Sequence, residues 1–173
     1  MLKTTANKIT VLRILLIPVW LVLAYRGNAT AALAVYIIAC LSDMADGYIA
    51  RHYNQIINFG KFMDPLADKM LVLVAMCFFV ERVRIPGWVV AIVLFREFAV
   101  SGLRLIAVEQ SRVIAAAWSG KVKTAVTMVA LCVMTVFQAD WCDMLCSGLI
   151  LLTTVYSGVE YFMKNRDVFS DID

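Results

Sequence analysis

Long apolar runs, each near the length that crosses a bilayer, recur down this chain and leave little room for any other plan. Read from hydropathy and from the Gly, Pro and charge breaks between runs, helices are predicted over 9–25, 30–52, 58–80, 86–108, 119–138 and 144–163. About 20 apolar residues in a helix match the hydrocarbon thickness of a membrane. Composition agrees. Of the 173 residues, 62% are hydrophobic and 17% charged, with a mean hydropathy of +0.82, whereas a soluble domain has roughly half apolar residues. The expected fold is all-α, a polytopic membrane protein with six transmembrane helices and a short N-terminal interfacial segment over residues 1–8. One domain over 1–173 is the natural count.

The breaks carry further expectations. The first run contains Arg13 and Pro18 and has no clear small-residue cleavage site, so it reads as a retained helix. Asn7 and Thr10 are candidate caps for it. Arg26-Gly27-Asn28 ends it, Pro86 suits a helix start, and residues 140–143 read as an acidic turn. Three of the five cysteines, Cys40, Cys77 and Cys132, lie in apolar runs and behave as small hydrophobes. Cys142 and Cys146 have no histidine partner, and the odd count argues against a disulfide framework.

Six spans place both termini on one side. That side carries twelve of the sixteen Lys and Arg residues: Lys3, Lys8, Arg13, Arg51, Lys61, Lys69, Arg104, Arg112, Lys121, Lys123, Lys164 and Arg166. The other side holds Arg26, Arg82 and Arg84, and Arg96 lies within its span. The positive-inside rule puts the first side in the cytoplasm, of a protein in the cytoplasmic (inner) membrane.

Residues 43–68 concentrate the chemistry. Asp43, Asp46, Gly47 and Ala50 fall at i, i+3, i+4 and i+7, one face of a helix, and Gly60, Asp64 and Asp68 step by four along a second. A short turn near 54–58 would let the four carboxylates converge. Close carboxylates repel each other at low dielectric, and a bound cation resolves this. An all-oxygen set suits two Mg²⁺ ions, with Mn²⁺ as the other candidate. Such a pair clamps the attacking and leaving oxygens of a phosphoryl displacement. Arg51 adds a positive charge suited to phosphate, and Gly47 and Gly60 let a ligand approach the backbone. Plain pairing of the acids with Arg51, Lys61 and Lys69 gives no reason for these glycines and spacings to occur together.

The pattern D-x2-D-G-x2-A-R-x8-G-x3-D-x3-D resembles the signature of the CDP-alcohol phosphotransferase family at every fixed position. The resemblance implies transfer of a phosphate-linked group from a CDP-alcohol to a second alcohol, with release of CMP. It implies metal ligation by Asp43, Asp46, Asp64 and Asp68, with Asp68 also the general base. It places Gly47, Ala50, Arg51 and Gly60 at the CDP-lipid, with Asn7 and Thr10 near the nucleotide. The stretches 96–104 and 119–124, and the opening Asn7 to Arg13 with Pro18, are similar to those of members that join CDP-diacylglycerol to glycerol 3-phosphate. The usual Asn-Ile-Pro opening is replaced by Thr5-Ala6-Asn7.

Arg96 sits deep in an apolar run, at a cost of roughly 2.5–3.5 kcal/mol even on a lenient insertion scale. Simple pairing with Glu97 is one reading, and topology signal is one for Arg104, Lys121 and Lys123. The sharper reading is an acceptor-phosphate pocket of Arg96, Arg104, Lys121 and Lys123. Two rivals remain. One is the same family with inositol phosphate, phosphatidylglycerol or serine as acceptor. The other is a small cation transporter with the aspartates as an ion path, against which the acids cluster toward one face and the glycines and Arg51 serve no ion path. The resemblance also implies a homodimer in contact with membrane lipid, and no nucleic-acid partner is expected. Ala31, Ala32 and Ala34 offer a small-residue face for helix packing.

Overall fold

Among the described residues six helices form: α1 Thr5–Tyr25, α2 Ala29–His52, α3 Asn58–Glu81, α4 Gly87–Glu109, α5 Trp118–Val136 and α6 Asp140–Lys164. The computed structural model describes residues 5–52, 58–109, 114 and 117–166, and the side chains of 11–42, 69–108, 114 and 117–166. No strand occurs among the described residues. The predicted helices match the observed ones in number and order, and their ends differ in two instructive places. Residues 5–8, read as an interfacial segment, are already helical and run unbroken into α1, so Asn7 and Thr10 lie inside the helix instead of capping it. Asp140 and Asp143, read as a turn, form the first turn of α6. Carboxylates there meet the positive end of the helix dipole, which matters because Ala139 at the N-cap brings no side-chain bond.

The break after α1 has a local cause. Gly27 takes φ +73°, its N–H donates to Ala24 O at 3.1 Å, and the Asn28 N–H donates to Leu23 O at 3.1 Å. These two bonds satisfy the last carbonyls of the helix in a left-handed glycine cap. Asn28 then starts α2, its Oδ1 accepting from the Ala31 N–H at 3.2 Å.

The chain divides into two compact units, Met1–Arg82 with Leu131–Gln138, and Val83–Ala130 with Ala139–Asp173. In the first, α1 packs on both α2 and α3. The α2 contact face is Ala32, Tyr36 and Ala39, all fully buried. Of the small residues expected to pack, Ala32 is buried, Ala31 half-buried and Ala34 exposed, and Ala39 joins Ala32 on the packed face. Trp20 fills the centre, 5.9 Å from Tyr36 and 5.6 Å from Phe78 between ring centroids. Tyr25 meets Phe78 edge-on at 5.2 Å. Such pairs add about 0.5–1.5 kcal/mol each beyond area burial. The Tyr25 hydroxyl donates to Glu81, and Arg82 lies over the Tyr25 and Phe78 rings at 5.6 and 5.2 Å. These contacts tie the C-terminal ends of α1 and α3 together.

In the second unit, α4 packs on α6. Arg84, just before α4, holds Asp143 in the first turn of α6 with two bonds, Nε to Oδ2 at 2.7 Å and Nη2 to Oδ1 at 2.6 Å. Near the other end Arg104 Nε donates to the Tyr161 hydroxyl at 3.0 Å. Contacts at both matching ends make the two helices parallel. Their inward positions step alternately by four and three: Val89, Val93, Arg96, Val100, Leu103 and Ala107 on α4, and Asp143, Ser147, Ile150, Thr154, Ser157 and Tyr161 on α6. This is the spacing of a coiled-coil seam.

The seam of α6 is inside out relative to a water-soluble helix. Its buried stripe includes Asp143, Ser147, Thr154 and Ser157, whereas Met144, Leu152 and Met163 are about 70% exposed (76%, 68% and 70%). Small and hydroxyl-bearing residues at a helix contact, with apolar residues outside, suit hydrocarbon surroundings. Among the described residues, α5 and α6 are long and apolar enough to cross a membrane, and Val11–Tyr25 and Ala29–Ser42 form shorter apolar helices. Every 18-residue stretch of α4 includes Arg96, Glu97 and Arg104, which keeps that helix from meeting the same composition test.

Candidate active site

The signature lies wholly in helix apart from the residues joining its two halves. Asp43, Asp46, Gly47, Ala50 and Arg51 are in the C-terminal half of α2, and Gly60, Asp64 and Asp68 are in the N-terminal half of α3. Continuous helix on both sides means that the predicted faces exist: positions 43, 46, 47 and 50 share one, and positions 60, 64 and 68 share the other. Both helices pack on α1. The side chains of 43–68, like those of Asn7 and Thr10, lie outside the described residues, as does the join over 53–57. Convergence of the four carboxylates on one point is therefore not part of the described structure. As a donor set, two carboxylate pairs, each one helical turn apart, fit a hard divalent cation. Arg13, counted above among the topology charges, is buried on α1 with 1% exposure.

The four candidate acceptor cations separate into two kinds. Arg96 and Lys123 come together through Glu97. Arg96 Nη1 donates to Glu97 Oε1 at 3.0 Å, and Lys123 Nζ donates to the same oxygen at 2.9 Å. The side chains are only 12%, 18% and 5% exposed for Arg96, Glu97 and Lys123. Pairing with Glu97 is thus part of the answer to why Arg96 is tolerated in α4. The Arg96 Nε is buried without a hydrogen-bond partner. Arg104 and Lys121 are exposed and stand on aromatic rings, Arg104 over Tyr161 at 5.5 Å and Lys121 over Trp118 at 5.9 Å.

Two glycines make room for Arg96. A Cβ on Gly158 in α6 would lie 3.3 Å from Arg96 Cγ, and one on Gly120 in α5 would lie 3.4 Å from Nη2. By contrast, a Cβ on Gly102 would meet nothing within 4 Å. An apolar cavity of about 410 Å³ adjoins this point, with Phe95, Arg96, Thr154, Gly158 and Phe162 among its lining.

A model of the CDP-alcohol phosphatidyltransferase family matches residues 3–159. The chain belongs to the CDP-alcohol phosphatidyltransferase family. Its relatives include a Bacillus subtilis protein named CDP-diacylglycerol–glycerol-3-phosphate 3-phosphatidyltransferase, 37% identical over 92% of this chain and 93% of the other. A Mycobacterium tuberculosis protein named as a probable phosphatidylglycerophosphate synthase is 34% identical over 94% of this chain and 82% of its own length. A Rickettsia typhi protein with the same name as the Bacillus one is 30% identical over 97% of this chain and 100% of the other.

For a CDP-alcohol phosphatidyltransferase, sequence reasoning missed several partners. Glu97 was legible only as a pairing residue for its neighbour, because its bond to Lys123 joins positions 26 apart. Gly158 and Tyr161 lie in the last apolar run, where heptad register with Thr154 marks Tyr161 as inward and nothing in the sequence marks Gly158.

Proposed function

We propose that the protein transfers the phosphatidyl group of CDP-diacylglycerol to glycerol 3-phosphate, giving phosphatidylglycerophosphate and CMP. The observation that carries this is likeness across nearly the whole chain to the Bacillus subtilis enzyme of that name, 92% of one and 93% of the other. It is joined by a signature complete at every fixed position. The enzyme works as a six-span protein of the cytoplasmic membrane, as a homodimer, with the signature facing the cytoplasm. The inside-out polarity of α6 and the distribution of Lys and Arg support this placement.

Asp43, Asp46, Asp64 and Asp68 are the residues that would hold two Mg²⁺ ions, and their carboxylate chemistry fits such ions. When bound, the ions neutralise charge on the diphosphate and on the departing phosphate. Gly47, Ala50, Arg51 and Gly60 bind the CDP part, with Asn7 and Thr10 near the nucleotide. Arg96 and Lys123, with Arg104 and Lys121 farther out on their rings, bind the acceptor phosphate. Asp68 takes the proton from the primary hydroxyl of glycerol 3-phosphate. That oxygen forms a bond to the phosphorus next to diacylglycerol, and the bond from this phosphorus to the CMP oxygen breaks. CMP leaves with the bond's electron pair, and no covalent enzyme intermediate is needed.

The test is CMP release by purified protein with CDP-diacylglycerol and Mg²⁺, offered glycerol 3-phosphate, inositol phosphate, serine or phosphatidylglycerol in turn. Release only with glycerol 3-phosphate is expected. Release with a different acceptor alone would overturn the acceptor assignment.

A further inference from the structure

We infer that Glu97 is a positioning residue for the acceptor: its single oxygen Oε1, bonded to both Arg96 and Lys123, sets the spacing of the two cations that grip the acceptor phosphate. This rests on the reading of Arg96 and Lys123 as acceptor-phosphate ligands.

Four features converge on it. The first is the shared atom. Bonds of 3.0 and 2.9 Å to one oxygen fix the separation of a guanidinium on α4 and an ammonium on α5 more tightly than two separate bridges would. The second is geometry. Neighbouring residues on a helix do not face each other, so contact between Arg96 and Glu97 requires both side chains to turn toward a common point, and Lys123 supplies it. The third is electrostatics. Two like charges brought together in surroundings this dry repel, and a carboxylate between them keeps them close. The fourth is clearance. Gly158 and Gly120 border the Arg96 side chain at Cγ and at Nη2, so it is seated between α5 and α6 where a larger residue at either position would crowd it. Held in this way, Arg96 keeps a buried Nε without a partner. An unused donor on a fixed guanidinium is what a phosphate oxygen can recruit without first reorganising the site.

The experiment is two-substrate kinetics on the full-length protein, reading KM for glycerol 3-phosphate and for CDP-diacylglycerol from the same preparation. Partial unfolding lowers kcat but does not move one KM alone. Glu97→Gln is expected to raise the glycerol 3-phosphate KM about tenfold or more, with the CDP-diacylglycerol KM within about twofold. Glu97→Asp keeps a carboxylate and recovers part of the loss. In a background of Arg96→Ala with Lys123→Met, Glu97→Gln is expected to change kcat/KM for glycerol 3-phosphate by less than about twofold, since the groups it positions are gone. The same tenfold loss in that background, or equal movement of both KM values, overturns the inference. A raised acceptor KM in Arg96→Ala beside an unchanged one in Glu97→Gln overturns it alone. An unchanged acceptor KM in Arg96→Ala overturns the acceptor-phosphate reading, and the inference with it.

Discussion

Charge in the two units is legible in the sequence to different degrees. In α2 and α3 the acids of the signature are ordered by spacing along single helices, at steps of three and four. In the second unit charges also meet across segments distant in sequence: Arg84 with Asp143, Lys123 with Glu97, Arg104 with Tyr161. Spacing within one helix survives in the sequence as a pattern, while a contact between helices leaves no local trace. In the proposed reaction the first unit acts on the diphosphate and the second takes the acceptor.

If this division holds, substitutions in the two units differ in kind. The largest effect is expected from Asp68→Asn. Turnover falls by about 10²–10⁴-fold, while circular dichroism and binding of CDP-diacylglycerol stay as in the wild type. Normal activity would remove Asp68 as the base. Chelation of divalent ions should also abolish CMP release, with recovery on adding Mg²⁺.

Next come the acceptor cations, which sharpen the contrast within the second unit. Lys123→Ala should raise the glycerol 3-phosphate KM about tenfold or more, because a buried charged hydrogen bond is lost. Lys121→Ala and Arg104→Ala, both exposed, should raise it about two- to threefold. Equal effects from all four cations would erase the distinction between buried and exposed groups.

Stability effects are smaller and should leave both KM values unchanged. Arg84→Ala takes two hydrogen bonds from Asp143, whose side chain is 11% exposed. A loss of about 2–3 kcal/mol is expected in denaturant unfolding. The smallest effect has the opposite sign. Val83 holds φ 59° in the turn before α4 and is 90% exposed. A β-branched residue there carries strain of roughly 1–2 kcal/mol, so Val83→Gly should raise the melting temperature slightly.

Much of the fold was readable because apolar length and turn chemistry are local properties. The Gly27 cap and the Pro86 break appear where the residues suggest them. The readings that failed had local reasons too. Thr5 to Lys8 looked like a segment ahead of the first helix, with Asn7 or Thr10 as its cap, but helix propagation costs little once α1 has formed. Asp140 and Asp143 looked like a turn, but carboxylates favour a first helical turn. The candidate site was legible as a signature and as a list of cations. The sequence does not reveal which cations meet, because Glu97 Oε1 joins α4 to α5 and Gly158 clears space from α6.

A two-substrate rate matrix on wild type and Arg96→Ala separates the roles of the two units. CMP release would be followed while glycerol 3-phosphate and CDP-diacylglycerol are varied independently at saturating Mg²⁺. The expected result is a rise of about tenfold or more in the glycerol 3-phosphate KM, with the CDP-diacylglycerol KM and the metal requirement unchanged. Equal rises along both substrate axes would contradict a separate acceptor pocket in the second unit.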